Sequence, residues 1–366
     1  MIREFGYVRI GTAVPLVRAA DVTGNVDRLV ASAKQAAEAG CDLVVFPELS
    51  LTGYTCADLF LQTHLLDLAE RGLADFLERT ADLPPVFVVG LPLRLRGELY
   101  NVAAVTQNGA ILGLVPKVFL PGNGEYYEPR WFASGQEAGA GEATVAGQTA
   151  PCAPNLRFAC RDLPDFVFAV EICEDLWAPI PPSSHRALEG ATVLVNLSAS
   201  NELVGKSDYR RQLVAQQSAR CFAAYAYCGA GVGESTTDMV FGGHCLIAEN
   251  GILLAESERF QRSAQLVFAD LDVQFLAHER LGRKTFARNR SSQPDAAGIC
   301  VPFAAAPLRR ERLERRMDPT PFVPGDPARR HERSQELLAI QSTGLATRLQ
   351  HPGIKDVVIG LSGGLE

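Results

Sequence analysis

Three side chains capable of chemistry stand just after three apolar runs. Glu48 follows DLVVF, Lys117 follows ILGLV and Cys173 follows FVFAVEI. A thiol is mostly protonated at neutral pH, so a nucleophilic cysteine needs a base or a nearby cation. A carboxylate in a poorly solvated pocket can take the thiol proton and later give it to a leaving amine. An ammonium can stabilise the thiolate and the oxyanion of a tetrahedral intermediate, with the backbone N–H of Glu174 as a second donor. Each residue also has a structural reading. Buried cysteines are usually inert hydrophobes, a glutamate can cap a helix, and a lysine can be a solvated charge. The chain has only five lysines, Lys34, Lys117, Lys206, Lys284 and Lys355, and Lys117 sits in the apolar stretch LVPKVFL.

To converge, these residues need an ordered frame. YVRIGTAV (7–14) reads as a strand, and residues 25–39 carry helical spacing up to Gly40. DLVVFPE (42–48) is a buried strand broken at Pro47, and 65–77 is helical again. VFVVGLP, LYNVAAVTQ, ILGLVPK, DFVFAVEIC and ATVLVNLSAS are further strands. Asn108–Gly109 and Asn250–Gly251 are hairpin signals, because both residue types tolerate positive φ. A helix is expected from Ser207, as N-cap, to about Ala223, and AQLVFADLDV (264–273) closes the strand-rich part. Helices and strands mix, but hairpins sit among the connections, which excludes a purely parallel doubly wound sheet and favours layered mixed sheets. The carboxyl ends of strands in such folds commonly line one crevice.

Composition narrows the class. The net charge of −7 and the absence of a basic run exclude a nucleic-acid surface. The apolar runs are of strand length, so no membrane span is expected, and the first fifteen residues lack the apolar core of a signal peptide. Nine cysteines without a C-x-x-C pair fit reduced thiols in a cytoplasmic protein, with no structural metal site. From about Gly282 the chain becomes rich in Arg, Pro and Asp, as an extended connector would be. Helical spacing resumes over 331–349. Asp356 to Ile359 then read as a short buried strand leading to the glycine loop Ser362–Gly363–Gly364.

FPELSLTGYTCADL (46–59), LVPKVFLP (114–121) and VEICEDLW (170–177) resemble the three signature regions of the nitrilase superfamily. LTGYTCADLF, EYYEPRWF (125–132) and NLSASNELVGKSDYRR (196–211) more closely resemble the glutaminase domain of the glutamine-dependent NAD+ synthetase family. The resemblance implies an α/β fold, the four-layer αββα sandwich, with a Glu-Lys-Cys triad. Glu48 would be the general base, Lys117 the oxyanion stabiliser and Cys173 the nucleophile. Glu125, eight residues after Lys117, would be the supporting glutamate. Tyr54, Glu174 and Ser200 would line the pocket for L-glutamine, Glu174 holding the α-ammonium. The family loop after the lysine usually reads P-N-Y-x-E-F-Y-E, whereas here it is PGNGEYYE, with two glycines and one tyrosine fewer.

By the same resemblance, DVVIGLSGG looks like the start of an ATP-pyrophosphatase loop, with Ser362, Gly363 and Gly364 as an incomplete nucleotide site. The implied organisation is a glutaminase domain over 1–275, a connector over 276–330, and over 331–366 the start of a synthetase domain. ATP, Mg2+ and deamido-NAD+ would belong to the remainder of that domain, and the glutaminase domain would need no cofactor. A homo-oligomer built on dimers is implied as well. GLSGG also matches G-x-S-x-G, but no acid and histidine follow it, so a serine-hydrolase elbow is rejected. None of the six histidines sits in a local Cys-His signature, and no G-x-G-x-x-G opens a helix after a strand. Two alternatives remain: another amidase of the superfamily, such as an ω-amidase or carbamoylase, or a catalytically idle scaffold.

Overall fold

The computed structural model describes residues 5–291, 298–305, 312–315, 317 and 319–360. The chain divides into two compact units, Met1–Arg315 and Arg316–Glu366.

The first unit holds two mixed sheets. One contains β1 (Tyr7–Val14), β2 (Leu43–Val45), β3 (Val86–Leu95), β4 (Glu98–Gln107), β5 (Ala110–Pro116), β6 (Gly141–Val145), β7 (Gln148–Cys152) and β14 (Gln265–Asp272), in the order β14-β1-β2-β3-β4-β5-β7-β6. The other contains β8 (Arg157–Cys160), β9 (Val167–Ile172), β10 (Val193–Ser198), β11 (Ala224–Gly229), β12 (Cys245–Glu249), β13 (Ile252–Glu256) and β15 (Cys300–Phe303), in the order β13-β12-β11-β10-β9-β8-β15. Alternation along each strand makes the layers. Leu43 and Val45 of β2, with Phe168, Val170 and Ile172 of β9, face the space between the sheets. Val44 faces the other way, onto the helices α1 (Val22–Glu38) and α2 (Thr63–Arg79). After the one-turn helix α3 (Gly135–Ala138), α4 (Pro182–Leu188) and α5 (Lys206–Cys221) cover the second sheet, where Ala169 and Leu194 likewise pack outward. The result is helix, sheet, sheet, helix.

Both expected hairpins form, with Asn108 and Asn250 at φ 50° and 46°. Some boundaries differ from the sequence reading. Helix α1 starts at Val22, because the Asp21 side chain accepts from Gly24 N and caps it. Helix α5 is entered through Gly205 at φ 82°, so Ser207 lies buried in the first turn and is not the cap. Cys300–Phe303, within the span read as connector, adds a parallel strand beside β8. Two more helices, α6 (Val273–Leu281) and α7 (Lys284–Ser291), precede it.

In the second unit, α8 (Pro327–Gln350) is capped by Asp326 and buries no residue. Asp356–Ile359, expected as a buried strand, is irregular, and Val358 is fully exposed. A strand needs a hydrogen-bonded neighbour, and none stands beside it among the described residues. Ser362, Gly363 and Gly364 lie outside the described residues.

Candidate active site

Topology explains why three strand ends meet. β1, β2 and β3 run parallel, and β5 is antiparallel to β4, which is antiparallel to β3. β2 and β5 therefore end at the same edge, leaving Glu48 and Lys117 there. In the second sheet β9, β10 and β11 are parallel, so Cys173 and residues 198–201 also share an edge. The two edges are joined where the backbone N–H of Ala199 donates to Glu48 Oε2 at 2.8 Å.

Glu48 is delivered by a tight turn. Leu49 adopts φ 50°, and Gly90 lets the turn approach β3: a Cβ on Gly90 would stand 2.2 Å from Leu49 N. Lys117 Nζ lies 2.6 Å from Glu48 Oε1 and 2.6 Å from Glu128 Oε1. All three side chains are sealed from solvent, at 0% exposure for Lys117 and Glu48 and 1% for Glu128. Asn101 donates to Glu48 Oε1 at 2.7 Å, and Tyr54 OH donates to Glu128 Oε1 at 2.7 Å. Burial pulls the Lys117 ammonium down, but the carboxylates of Glu128 and Glu48 outweigh it and hold it well above the ordinary lysine value. Burial pushes the Glu128 carboxyl up, to about 7, against the opposing pull of Lys117.

Cys173 follows β9 directly and opens the 3-10 turn Cys173–Trp177. Its φ is 45°, a left-handed conformation that costs a non-glycine residue about 1 kcal/mol. Asn196 supports it, accepting from Cys173 N at 3.1 Å. The Sγ accepts from Ser198 Oγ at 3.2 Å. Asp175 ties the two loops together, accepting from Ile172 N, Val118 N and Phe119 N at 2.9, 3.1 and 2.8 Å. Burial, and then the Glu48 carboxylate, push the thiol up, while Lys117 pulls it down. The thiol thus shares an electrostatic neighbourhood with Glu48, Lys117 and Glu128.

The glutamate expected beside the lysine is corrected. Glu128, not Glu125, touches Lys117; Glu125 instead accepts from Asn201 Nδ2. The reason is local. The turn Glu128–Arg130 carries Pro129, and it buries Glu128 completely while leaving Glu125 part-exposed. Tyr54 is buried, with its hydroxyl on Glu128 and its N–H on Glu234 Oε1 at 2.8 Å. Glu234 also accepts from Thr55 Oγ1 at 2.6 Å, so it fixes the turn that carries Tyr54. Glu174 is half-buried, and burial raises its carboxyl. Its N–H belongs to the first turn of a 3-10 helix, where intrahelical partners are missing. Ser200 is buried next to Arg210, which donates to its Oγ at 3.4 Å. A cleft of about 560 Å³ opens beside Tyr54 and Glu125, lined also by Asp58, Tyr127, Trp131 and Asp238. Cys173, Lys117 and Glu48 do not line it; Tyr54 connects it to them through Glu128.

A buried cysteine on a left-handed turn thus shares its surroundings with a lysine clamped by two glutamates, within two facing mixed sheets. The carbon-nitrogen hydrolase family pattern matches residues 8–278, and the chain belongs to that family. It is 43% identical to the glutamine-dependent NAD(+) synthetase of Mycobacterium tuberculosis, aligning 99% of this chain with 54% of that protein. It is 29% identical to the synthetase of the same name from Thermotoga maritima, over 94% of this chain and 54% of that one. The chain thus spans about half the length of these curated relatives. Among solved structures, a glutamine-dependent NAD(+) synthetase from Cytophaga hutchinsonii superposes with a TM-score of 0.65 at 29% identity, covering 72% of this chain and 43% of that one. An amidase from Nesterenkonia sp. shares the fold, with a TM-score of 0.58 at 20% identity over 77% of this chain and 97% of that one.

Proposed function

We propose that this chain is the glutamine amidohydrolase part of a longer glutamine-dependent NAD+ synthetase, and that it releases ammonia from L-glutamine through a γ-glutamyl thioester. The observation that carries the reading is the sealed Glu48–Lys117–Glu128 cluster beside Cys173. The 43% identity to a synthetase of that name supports the choice of glutamine.

In this reading Glu48 takes the thiol proton as Sγ attacks the side-chain amide carbon. The carbonyl electron pair moves onto oxygen, where Lys117 and the Glu174 N–H stabilise it. Collapse of the intermediate breaks the C–N bond, and Glu48 gives its proton to the departing nitrogen, releasing ammonia. Water then attacks the thioester with Glu48 as base, and glutamate leaves as the thiol is restored. Lys117 stays protonated throughout, which its two carboxylate partners favour. Glu174 would hold the substrate's α-ammonium, with Tyr54 and Ser200 shaping the pocket and Glu125 at its rim.

The amidation of deamido-NAD+, with its ATP and Mg2+, would fall to the half of the relatives that this chain does not span. Among the described residues no group of three or more His, Cys, Asp or Glu is placed to hold a metal ion, and no step above runs through one. Ser362, Gly363 and Gly364 would begin the nucleotide loop. A cytoplasmic location and a homo-oligomer belong to the same proposal; no helix among the described residues is long and apolar enough to cross a membrane. The test is ammonia release from L-glutamine by the wild-type chain and by Cys173→Ala. The reading expects release that the substitution abolishes. Equal rates would overturn it.

A further inference from the structure

The sulfur of Cys173 has one side-chain hydrogen-bond donor among the described residues, and it is not part of the triad. Ser198, the last residue of β10, donates from Oγ to Sγ at 3.2 Å. Since that hydroxyl's proton is committed to sulfur, its lone pair faces the hydroxyl of Tyr227 at 2.5 Å, and Tyr227 acts as donor. The Arg210 guanidinium lies 5.8 Å from the Tyr227 ring centroid. A short chain therefore runs from Tyr227 through Ser198 to the thiol. It is sealed from solvent: Ser198, Tyr227 and Asn196 are each at 0% exposure. The register explains it. Leu197 of β10 pairs with Ile172 of β9, so Ser198 stands level with Cys173, and Asn196 pairs with Tyr227 of β11. Asn196 holds the Cys173 backbone and Ser198 holds its sulfur.

We propose that Ser198 is a positioning residue for the nucleophile: its hydroxyl, backed by Tyr227, fixes the Cys173 sulfur and stabilises it as thiolate. The inference rests on Cys173 being the nucleophile of the proposed reaction. Accepting from Ser198 occupies one sulfur lone pair and leaves the S–H free for the base. Once the proton has gone, the same hydrogen bond ends on an anion and strengthens. Of the charged groups that act on the thiol, Glu48 and Glu128 oppose ionisation and Lys117 favours it. Lys206 and Arg210 also feel the thiolate and attract it, and the phenols of Tyr54 and Tyr126 lie near enough to be affected by it. In a site walled by two carboxylates, a neutral donor stabilises the anion without adding a charge that would disturb Lys117.

A hydrogen bond to an ionised acceptor outweighs one to a neutral acceptor by about tenfold in equilibrium terms. Well below the thiol's midpoint, the alkylation rate follows the thiolate fraction, offset by about half, on a logarithmic scale, because a less stabilised thiolate is the better nucleophile. The experiment is therefore the iodoacetamide alkylation rate at pH 8, read at the Cys173 peptide by mass spectrometry, for wild type, Ser198→Ala and Tyr227→Phe. Ser198→Ala is expected to alkylate about threefold more slowly and Tyr227→Phe about twofold more slowly. Kcat for glutamine should fall in parallel, with KM changed less than about twofold. Deleting a hydroxyl only opens the site, so crowding cannot explain a slower reaction. Wild-type alkylation in Ser198→Ala would overturn the proposal. If circular dichroism shows that variant unfolded, Tyr227→Phe decides: slowing supports the proposal and a wild-type rate overturns it. Alkylation needs no glutamine, so this result stands apart from the ammonia assay on Cys173→Ala.

Discussion

Lys117 holds two buried carboxylates apart, so removing it should cost both stability and chemistry. Lys117→Met keeps the side-chain length and deletes the charge. Glu48 and Glu128 then share a site closed to water, with Asn101, Ala199 N–H and Tyr54 as the donors left among the described residues. Removing one partner of a buried ion pair typically costs about 3–5 kcal/mol, because the other charge remains buried. Here the ammonium makes two contacts of 2.6 Å, which places the loss at the upper end, near 5 kcal/mol at pH 8. The sign of the pH dependence follows from Glu128. Its carboxyl is already raised, to about 7, so its favourable contribution is full below the unfolded value of 4.5 and is lost as pH rises through about 7. Without Lys117 it rises further, so the penalty should shrink between pH 8 and pH 5. Adding Glu128→Gln to Lys117→Met should recover about 2 kcal/mol, because one of the two unpaired charges is gone. Urea unfolding followed by circular dichroism at pH 8 and pH 5, on both single variants and the double, gives all these terms. A Lys117→Met protein as stable as wild type at pH 8, or a double variant weaker than Lys117→Met alone, would show that the ammonium does not stabilise the two buried carboxylates.

Other perturbations probe the supports. Tyr54→Phe removes the 2.7 Å donor from Glu128 and should cost about 1–2 kcal/mol in urea unfolding, with a several-fold loss of ammonia release; an unchanged midpoint would count against that bond. Gly90→Ala places a Cβ 2.2 Å from Leu49 N and must displace Glu48, so ammonia release should fall by about tenfold or more, whereas Gly344→Ala in α8 meets nothing within 4 Å and should leave the rate alone. Asp175→Ala strips the acceptor from three backbone N–H groups that join the Lys117 and Cys173 loops, and should lower stability by about 3 kcal/mol or more in the same urea assay.

The parts of the fold that depend on local pattern were legible in the sequence. The apolar runs before Glu48, Lys117 and Cys173 announced three strand ends, and Asn-Gly pairs announced both hairpins, because those signals lie within a few residues of the feature they specify. The supporting side chains were harder, because their roles depend on which strands become neighbours. Glu125 and Glu128 share one short motif, and nothing in its letters says which reaches Lys117; the turn at Pro129 decides it in three dimensions. Asn101, Asn196 and Ser198 lie inside runs that read simply as strand, and become visible only once β4 and β10 are set beside their partners. The same holds for Cys300–Phe303, whose polar, proline-rich surroundings read as connector while its pairing with β8 makes it a strand. Val357–Ile359 shows the converse, since apolar β-branched residues alone do not make a strand without a neighbour.

Whether Cys173 carries the acyl group is read by mixing the protein with L-glutamine, quenching in acid within the first turnovers, and weighing the peptide that contains Cys173. A fraction of that peptide is expected to be heavier by one γ-glutamyl group, discharged by hydroxylamine and absent from Cys173→Ala. Ammonia release that proceeds with no adduct on Cys173, and continues undiminished in Cys173→Ala, would contradict it.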